Sequence, residues 1–510
     1  MISRINSAVL NGLDVVATEV EVGFSRGIPG IVIVGLPDNA VKESRERLKL
    51  AVSQSNFDYP QATKIVINLS PADVRKEGSA LDLPMAVGII KNRYHMESQA
   101  FSDLLFYGEL NLNGDLNPVK GVLNISLFAR GKGFRGIVIP FANRNEAAFV
   151  RGIDVYALNN LTQVIDLIEN PANFVPFQGE TKKCCEPDCE NDFCEIKGQY
   201  LAKRVMEIAA AGFHNALMIG PPGSGKSMIS KALPSILPDM SEDEILETSL
   251  TYSAAGMLGE KGGLICSRPF RSPHHTISDV GISGGGKYPL PGEISLAHNG
   301  VLFLDEIPYF KKSALEVLRQ PLEDGKITIS RSLTSSTFPA RFMLIAAMNP
   351  CQDSIGVGDS GYYACSMAQK RHYYAKLSKP LLDRIDLQIE VKKVKLEEIT
   401  SQVVAESSRD IKKRVVGARN IQLQRFQHLK KKIFANGQMK NPEIKKFCPL
   451  DEEGSQLLQL AVDKFDLSAR GYFKVLKVAR TIADLEGVEK IASRHVQEAL
   501  QYRSLDLSRF

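Results

Sequence analysis

Residues Gly220-Pro221-Pro222-Gly223-Ser224-Gly225-Lys226-Ser227 constrain this chain more than any other stretch. They follow the apolar run 216–219 and precede a helical pattern over 228–233, which makes a full GxxxxGK[ST] in a strand-loop-helix setting. Such a unit brings a strand end, a glycine-rich turn and a helix start around one small volume. Glycines there let consecutive backbone N–H groups converge on phosphate oxygens, and the helix dipole favours the anion. Lys226 is expected to reach the β and γ phosphates and Ser227 to offer its hydroxyl to Mg²⁺, so ATP with Mg²⁺ is the expected ligand. A glycine-rich turn beside a chance lysine is the plainer alternative.

A second element fits the first. Val301-Leu302-Phe303-Leu304-Asp305-Glu306 is four apolar residues ending in two carboxylates, the pattern of a buried parallel strand that delivers acids to its C-terminal edge, where open α/β sheets bind ligands. Asp305 is expected to hold Mg²⁺ directly or through water, and Glu306 to polarise the attacking water as general base. The apolar run 341–348 ends at Asn349, suited to orienting that water or simply to capping the turn before Pro350. Arg384 precedes a strand-like run at 387–391 and fits a finger that stabilises transferred charge, a device worth ~10³ to 10⁵ in rate. Pairing with Asp383 or Asp386 is its plain alternative. Arg470, at the head of a helical pattern, fits a γ-phosphate contact from the C-terminal region or a solvated helix start.

The 510 residues imply roughly three domains on a prior of about 150 residues each. Residues 1–168 alternate strand-like runs (15–22, 30–34, 64–69, 136–140, 154–157) with helical ones (41–53, 81–90), an α/β domain. A Cys- and Pro-containing linker without periodicity follows at 169–197. Residues 198–392 repeat strand and helix in the manner of a parallel sheet, and 393–510 read as helical. The fold class is thus α/β multidomain. Nowhere do 18 apolar residues run without a charge, and the first residues carry no signal-peptide pattern, so no membrane association and a cytoplasmic location are expected. Eight cysteines are then expected to be reduced thiols.

Six stretches together are similar to one family. GPPGSGKSM, GEISLAHNGVLFLDEIPYF (292–310), AAMNPC (346–351), KLSKPLLDRIDL (376–387), SARGYFKVLKVARTIADLEG (468–487) and the N-terminal INLSPADVRKEGSALDLPMAV (67–87) resemble, in order and spacing, the ComM/YifB family of magnesium-chelatase-like AAA+ ATPases. The resemblance implies a P-loop AAA+ core with a helix-2 insertion within 252–296 and a helical lid from about 393. It makes Asn349 similar to sensor 1, Arg384 to a finger acting on a neighbouring subunit, and Arg470 to sensor 2. A finger acting in trans implies a ring, a hexamer. Members of the family are associated with natural transformation, so the resemblance further implies DNA binding, single-stranded or branched, and branch migration of recombining DNA. The alternative is a metal-insertion or protein-remodelling ATPase, in the manner of magnesium chelatase, without DNA activity.

The opening domain resembles a degenerate Lon protease fold. That chemistry needs a Ser nucleophile and a Lys base. The corresponding positions hold Ala80 and Leu123, with Ser79 and Lys120 close by, so the domain is expected to bind DNA or a partner, with Arg75 and Lys76 as its contacts or as ordinary surface charges. Relatives often carry a four-Cys pattern after sensor 1. Here Cys351 and Cys365 remain while Asp353 and Tyr363 take the other positions, which leaves an incomplete zinc site there. Cys184, Cys185, Cys189 and Cys194 lack the spacing of paired knuckles and are a second zinc candidate.

Two segments suit nucleic acid. Between 411 and 446, Lys or Arg stands at 412, 413, 414, 419, 425, 430, 431, 432, 440, 445 and 446 against the single acid Glu443, a density that fits phosphate contact or a solvated helix face. The segment 268–287 reads as a hairpin projecting into a ring pore, with Arg271 and Lys287 tracking a strand. His274 and His275, being adjacent, are expected to point apart.

Overall fold

In a computed structural model, residues 2–76, 78–179, 191–258, 263–286, 289–330, 335–351, 367–394, 405–429, 433–465 and 467–503 are described. The strands Ile2–Asn11 and Asp14–Ser25 form an antiparallel hairpin whose register pairs Val9 with Val16. Lys64–Ser70 adds antiparallel to the second strand and Gly30–Val34 adds parallel to the third. Ile65, Ile67 and Leu69 alternate inward, as a sheet with one covered face requires, and the helix Asp82–Tyr94 packs beneath them. A second sheet, Leu104–Phe106 with Gly136–Pro140 and Asp154–Leu158, is wholly parallel. The first strand was missed in the sequence because Arg4, Asn6 and Ser7 interrupt its apolar pattern; Ser7 faces inward and donates to Phe106 O at 2.8 Å.

The central sheet is five-stranded, in the order Phe270–Arg271, Val301–Leu304, Met343–Met348, Ala216–Ile219, Leu387–Glu390, with every pair parallel. Its three middle strands are buried throughout, which is why they read as unbroken apolar runs. Parallel pairing puts every strand's C-terminus at one edge, so the phosphate loop, the two carboxylates and Asn349 emerge side by side. The Asn349 strand lies between the other two.

One face of the sheet shares a single core with the C-terminal helices: Met218, Ile345 and Ile389 pack with Val415, Val475 and Ile482. The helices Ser408–Phe426, Ala469–Leu485 and Ser493–Gln501 supply that layer. The fold is therefore mixed α/β with a parallel core and a helical C-terminal region. The N-terminal part docks through the helix Val122–Gly131 on the helix Glu242–Ala255. Gly121 N donates to Ser253 O at 3.0 Å, and the buried Glu146 carboxylate accepts from Ser253 Oγ and from Leu123 N. No helix among the described residues is long and apolar enough to cross a membrane.

Candidate functional site

The phosphate loop follows Ile219 and turns through two left-handed glycines, Gly223 at φ +74 and Gly225 at φ +90. A Cβ built on either meets open space, so conformation rather than crowding demands glycine there. Gly225 leads directly into the helix Lys226–Ala232. The Lys226 side chain folds back over the loop, and its Nζ donates to Gly220 O (2.7 Å), Pro221 O (2.9 Å), Ser224 Oγ (3.3 Å) and Asn349 Oδ1 (3.2 Å). Burial pulls the lysine below its ordinary pKa, and the nearby Asp305 and Glu306 oppose that. Ser227 Oγ donates to Asp305 Oδ2 at 2.6 Å, although 78 residues separate the two. Lys226, Ser227, Asp305 and Asn349 are thus brought to one point.

A hydroxyl and a carboxylate side by side are hard oxygen donors, the set Mg²⁺ takes when phosphates and water complete its shell. Ser227 and Asp305 would therefore hold the ion. Glu306 follows with a left-handed backbone, φ +51, and its N–H donates to Asp305 Oδ1 at 2.9 Å. Strain of this kind, of order 1–2 kcal/mol for a non-glycine residue, marks a position fixed by its surroundings.

Arg384 and Arg470 are not part of this cluster. Arg384 O accepts from Asn215 Nδ2 at 3.0 Å, and Leu387 pairs with Ala216, so Arg384 stands where the strands begin. Four strand residues at ~3.3 Å each separate that edge from the phosphate loop, about 13 Å. Its guanidinium pairs with Glu323, not with Asp383 or Asp386, and donates to Pro380 O at 2.6 Å. It lines a surface cleft of about 740 Å³ with Glu316, Arg319 and Gln320. Arg470 is exposed at the head of Ala469–Leu485, one turn before Lys474, which pairs with Asp386 at 3.0 Å. That C-terminal helix is therefore anchored at the same far edge.

Other expectations are corrected. Lys76 is fully buried and its ammonium is taken up by Pro71 O and Val74 O, so it contacts no DNA. Ser79 donates to Glu109, not to Lys120, whose aliphatic stem lies along Gly256. In the basic stretch, Lys412 pairs with Asp239, Lys413 with Asp410, Arg414 with Glu207 and Glu406, and Arg425 with Asp484. Arg419 is buried and donates to Ala210 O and Ala211 O. Lys440, Lys445 and Lys446 remain exposed, and 430–432 lie outside the described residues. A count of basic residues does not register such partners. Arg271 is bound by Glu293 through two 2.6 Å contacts, while Lys287 lies outside the described residues. His274 and His275 do not point apart: their ring centroids lie 4.1 Å apart, the planes tilted by 34°.

Cys194 and Cys448 are free thiols, whereas Cys266 and Cys351 are disulfide-bonded, unlike the eight reduced thiols expected. A disulfide sulfur is not a thiolate ligand, so Cys351 offers none to zinc. Cys184, Cys185, Cys189 and Cys365 lie outside the described residues. Among the described residues no group of three His, Cys, Asp or Glu is arranged to hold a metal.

Two contacts at the site had no sequence signal. Gln199 Nε2 bridges Ser224 O (2.8 Å) and Lys392 O (2.6 Å), and Tyr373 OH donates to Asn349 O at 2.9 Å. Both reach the site from elements far along the chain, and neither belongs to a motif.

Three family descriptions match: "Magnesium chelatase, subunit ChlI" over residues 192–399, "Subunit ChlI of Mg-chelatase" over 20–143, and "Magnesium chelatase, subunit ChlI C-terminal" over 405–503. The chain is 38% identical over 506 residues to the uncharacterized protein YifB of Escherichia coli, covering 99% of this chain and 97% of that one. It is 39% identical over 500 residues to competence protein ComM of Haemophilus influenzae, covering 97% and 96%. Similarity to the magnesium-chelatase 38 kDa subunit of Cereibacter sphaeroides is 24% over 327 residues, 60% of this chain and 88% of that one. A phosphate loop, a paired hydroxyl and carboxylate and a polar Asn at one edge of a parallel sheet, with similarity running the length of the chain, make this protein a member of the ComM/YifB family of magnesium-chelatase-like AAA+ ATPases.

Proposed function

We propose that the protein hydrolyses ATP at the junction between subunits of a ring, a hexamer, and uses that cycle to translocate on or remodel DNA, as in branch migration of recombination intermediates during natural transformation. The convergence of Lys226, Ser227, Asp305 and Asn349 carries the hydrolysis part of this reading. The division into 1–168, 169–197, 198–392 and 393–510, with a degenerate Lon-like first domain, belongs to the same proposal.

The loop N–H groups and Lys226 bind the triphosphate, and Lys226 exchanges its four protein oxygens for phosphate oxygens. Bound Mg²⁺ supplies neutralisation of the charge that develops on those oxygens. Asn349, released from Lys226, orients the attacking water, and Glu306 accepts its proton. Arg384 and Arg470, both at the far edge of the sheet, are suited to a neighbour's nucleotide rather than their own.

The DNA part rests on full-length similarity to a competence protein. The metal-insertion or protein-remodelling reading is favoured by a different observation: the five basic residues from 412 to 425 are all taken up by acids or backbone carbonyls, which leaves less free positive surface than their number suggests. Displacement of one strand from a three-strand junction, wild type beside Glu306→Gln, separates the two. The DNA reading expects ATP-dependent displacement by wild type alone, with ATPase stimulated by forked or single-stranded DNA and binding weakened by salt. An ATPase indifferent to DNA at low and moderate salt leaves only the second reading.

A further inference from the structure

Two short elements meet beside the site. The turn Ile307–Tyr309 follows the acidic strand, and the helix Met367–Tyr374 comes after the Asn349 strand. Beneath them Ile307, Phe310 and Leu377 share one buried cluster, against which Tyr373 and Tyr374 pack, so the two elements are fixed relative to each other. Between them lies an open cleft of about 420 Å³, lined by Pro308, Tyr309, Phe310, Lys312, His372 and Lys376. That volume falls within the ~300–1,000 Å³ of ligand sites. The chemistry of the cleft is aromatic and cationic. Tyr309 is 56% exposed, and Lys376 Nζ stands 5.6 Å from its ring centroid and 5.8 Å from that of Tyr373. Residues 307–315 and 367–382 contain no Asp or Glu. Lys311, Lys312, Arg371, Lys376 and Lys379 are all exposed, and among the described residues none of them is paired with a carboxylate; Glu316, one turn beyond Lys312, is engaged by Arg319 at 2.6 Å. The run 412–425 is the reverse case, since its cations are taken up by acids and backbone carbonyls.

An exposed ring bordered by unneutralised cations is the combination that takes bases by stacking and phosphates by charge. From it, and resting on the reading that the protein acts on DNA, we propose that this cleft is a contact surface for single-stranded nucleic acid, with a base stacked on Tyr309 and the flanking phosphates held by Lys312 and Lys376. A duplex keeps its bases stacked on one another and offers the ring no free face. An acidic peptide would meet the charge but leave the ring without a role. Neither basic segment singled out by its sequence includes these residues, because the cleft is assembled from two stretches some 60 positions apart.

The test measures binding of a fluorescent oligo(dT) strand to the full-length protein by anisotropy across a salt series, for wild type, Tyr309→Ala, Tyr309→Phe and the double variant Lys312→Gln with Lys376→Gln. Binding of a fluorescent ATP analogue and the mass of the assembly are followed in parallel. Tyr309→Ala is expected to weaken oligo(dT) binding about tenfold and Tyr309→Phe to stay within about twofold of wild type, because stacking needs only the ring. The double variant is expected to bind more weakly and to flatten the slope of log K against log[salt] by about 1.4, two phosphate contacts at ~0.7 each. Nucleotide affinity and assembly mass should be unchanged in all of them. If Tyr309→Ala and the double variant bind oligo(dT) within about twofold of wild type, with its salt slope, the cleft is not the contact and the proposal is overturned, while DNA binding by wild type keeps the underlying reading. Displacement of the strand by polyglutamate, with Tyr309→Ala binding DNA as wild type does, also overturns it and assigns the cleft to an acidic protein partner. So does a loss of assembly in the variants, which makes the cleft a subunit contact. A wild-type protein that binds no oligonucleotide even at low salt is a failure of the underlying reading itself.

Discussion

Lys226 is a buried ammonium surrounded by four protein oxygens and depressed in pKa by its burial, so the folded chain keeps a cation ready where phosphate is to arrive. Removing it should abolish binding, and turnover with it: Lys226→Ala is expected to lose measurable affinity for a fluorescent ATP analogue. Glu306→Gln should behave in the opposite way. It keeps the loop, the Ser227–Asp305 pair and the backbone hydrogen bond to Asp305, so nucleotide binds, but the proton acceptor is gone and steady-state hydrolysis is expected to fall by about 10² to 10⁴. Equal loss of binding in both variants would contradict this separation of roles.

The elements around the site were legible in the sequence to different degrees, for physical reasons. Strands 30–34 and 136–140 match the expectation residue for residue, because an unbroken β-branched run has few other ways to bury itself. The loop, the acidic strand and Asn349 were legible because each motif sits at a strand end and the parallel sheet aligns strand ends. What pairs with Arg384, Lys76 or the basic helix was not, because those partners arrive from elsewhere in the chain. The lid shows this best. His214, fully buried, lies 3.4 Å from Asp386 and 2.8 Å from Thr481 Oγ1, and Lys474 completes the cluster from the lid helix. Burial would raise the Asp386 pKa, but Lys474 and His214 outweigh it and hold the carboxyl well below its usual range; burial draws Lys474 down to about 8. Lys474→Met would leave Asp386 buried and short of a partner, with an expected loss of roughly 3 kcal/mol in urea unfolding. His214 carries a separate pH effect. Burial lowers its pKa below 6.5, so the unfolded chain takes up a proton that the folded one refuses. The stability it contributes is present above about pH 6.5 and is lost as pH falls through the folded value. The melting temperature is therefore expected to drop on acidification from neutral pH, and less steeply in His214→Asn.

At the scale of the whole molecule the decisive fact is a separation: the phosphate loop and Glu306 emerge at one edge of the central sheet, Arg384 and the head of the Arg470 helix at the other. No side-chain motion within one chain spans that sheet, so if either arginine serves hydrolysis it serves the site of an adjoining copy, and a closed ring is the symmetric way to give every site such a neighbour. This makes a subunit-mixing experiment informative. Glu306→Gln and Arg384→Ala are each expected to be nearly inactive alone, the first for want of a base and the second for want of charge stabilisation worth ~10³ or more. When the two are mixed in equal amounts and allowed to exchange, a site whose own subunit keeps Glu306 and whose neighbour keeps Arg384 is complete. Random assembly makes about a quarter of interfaces of that kind, so the mixture should regain a corresponding share of wild-type ATPase activity. If Arg384 acted within its own chain, every site in the mixture would lack one group or the other, and the mixed sample would stay as inactive as its components.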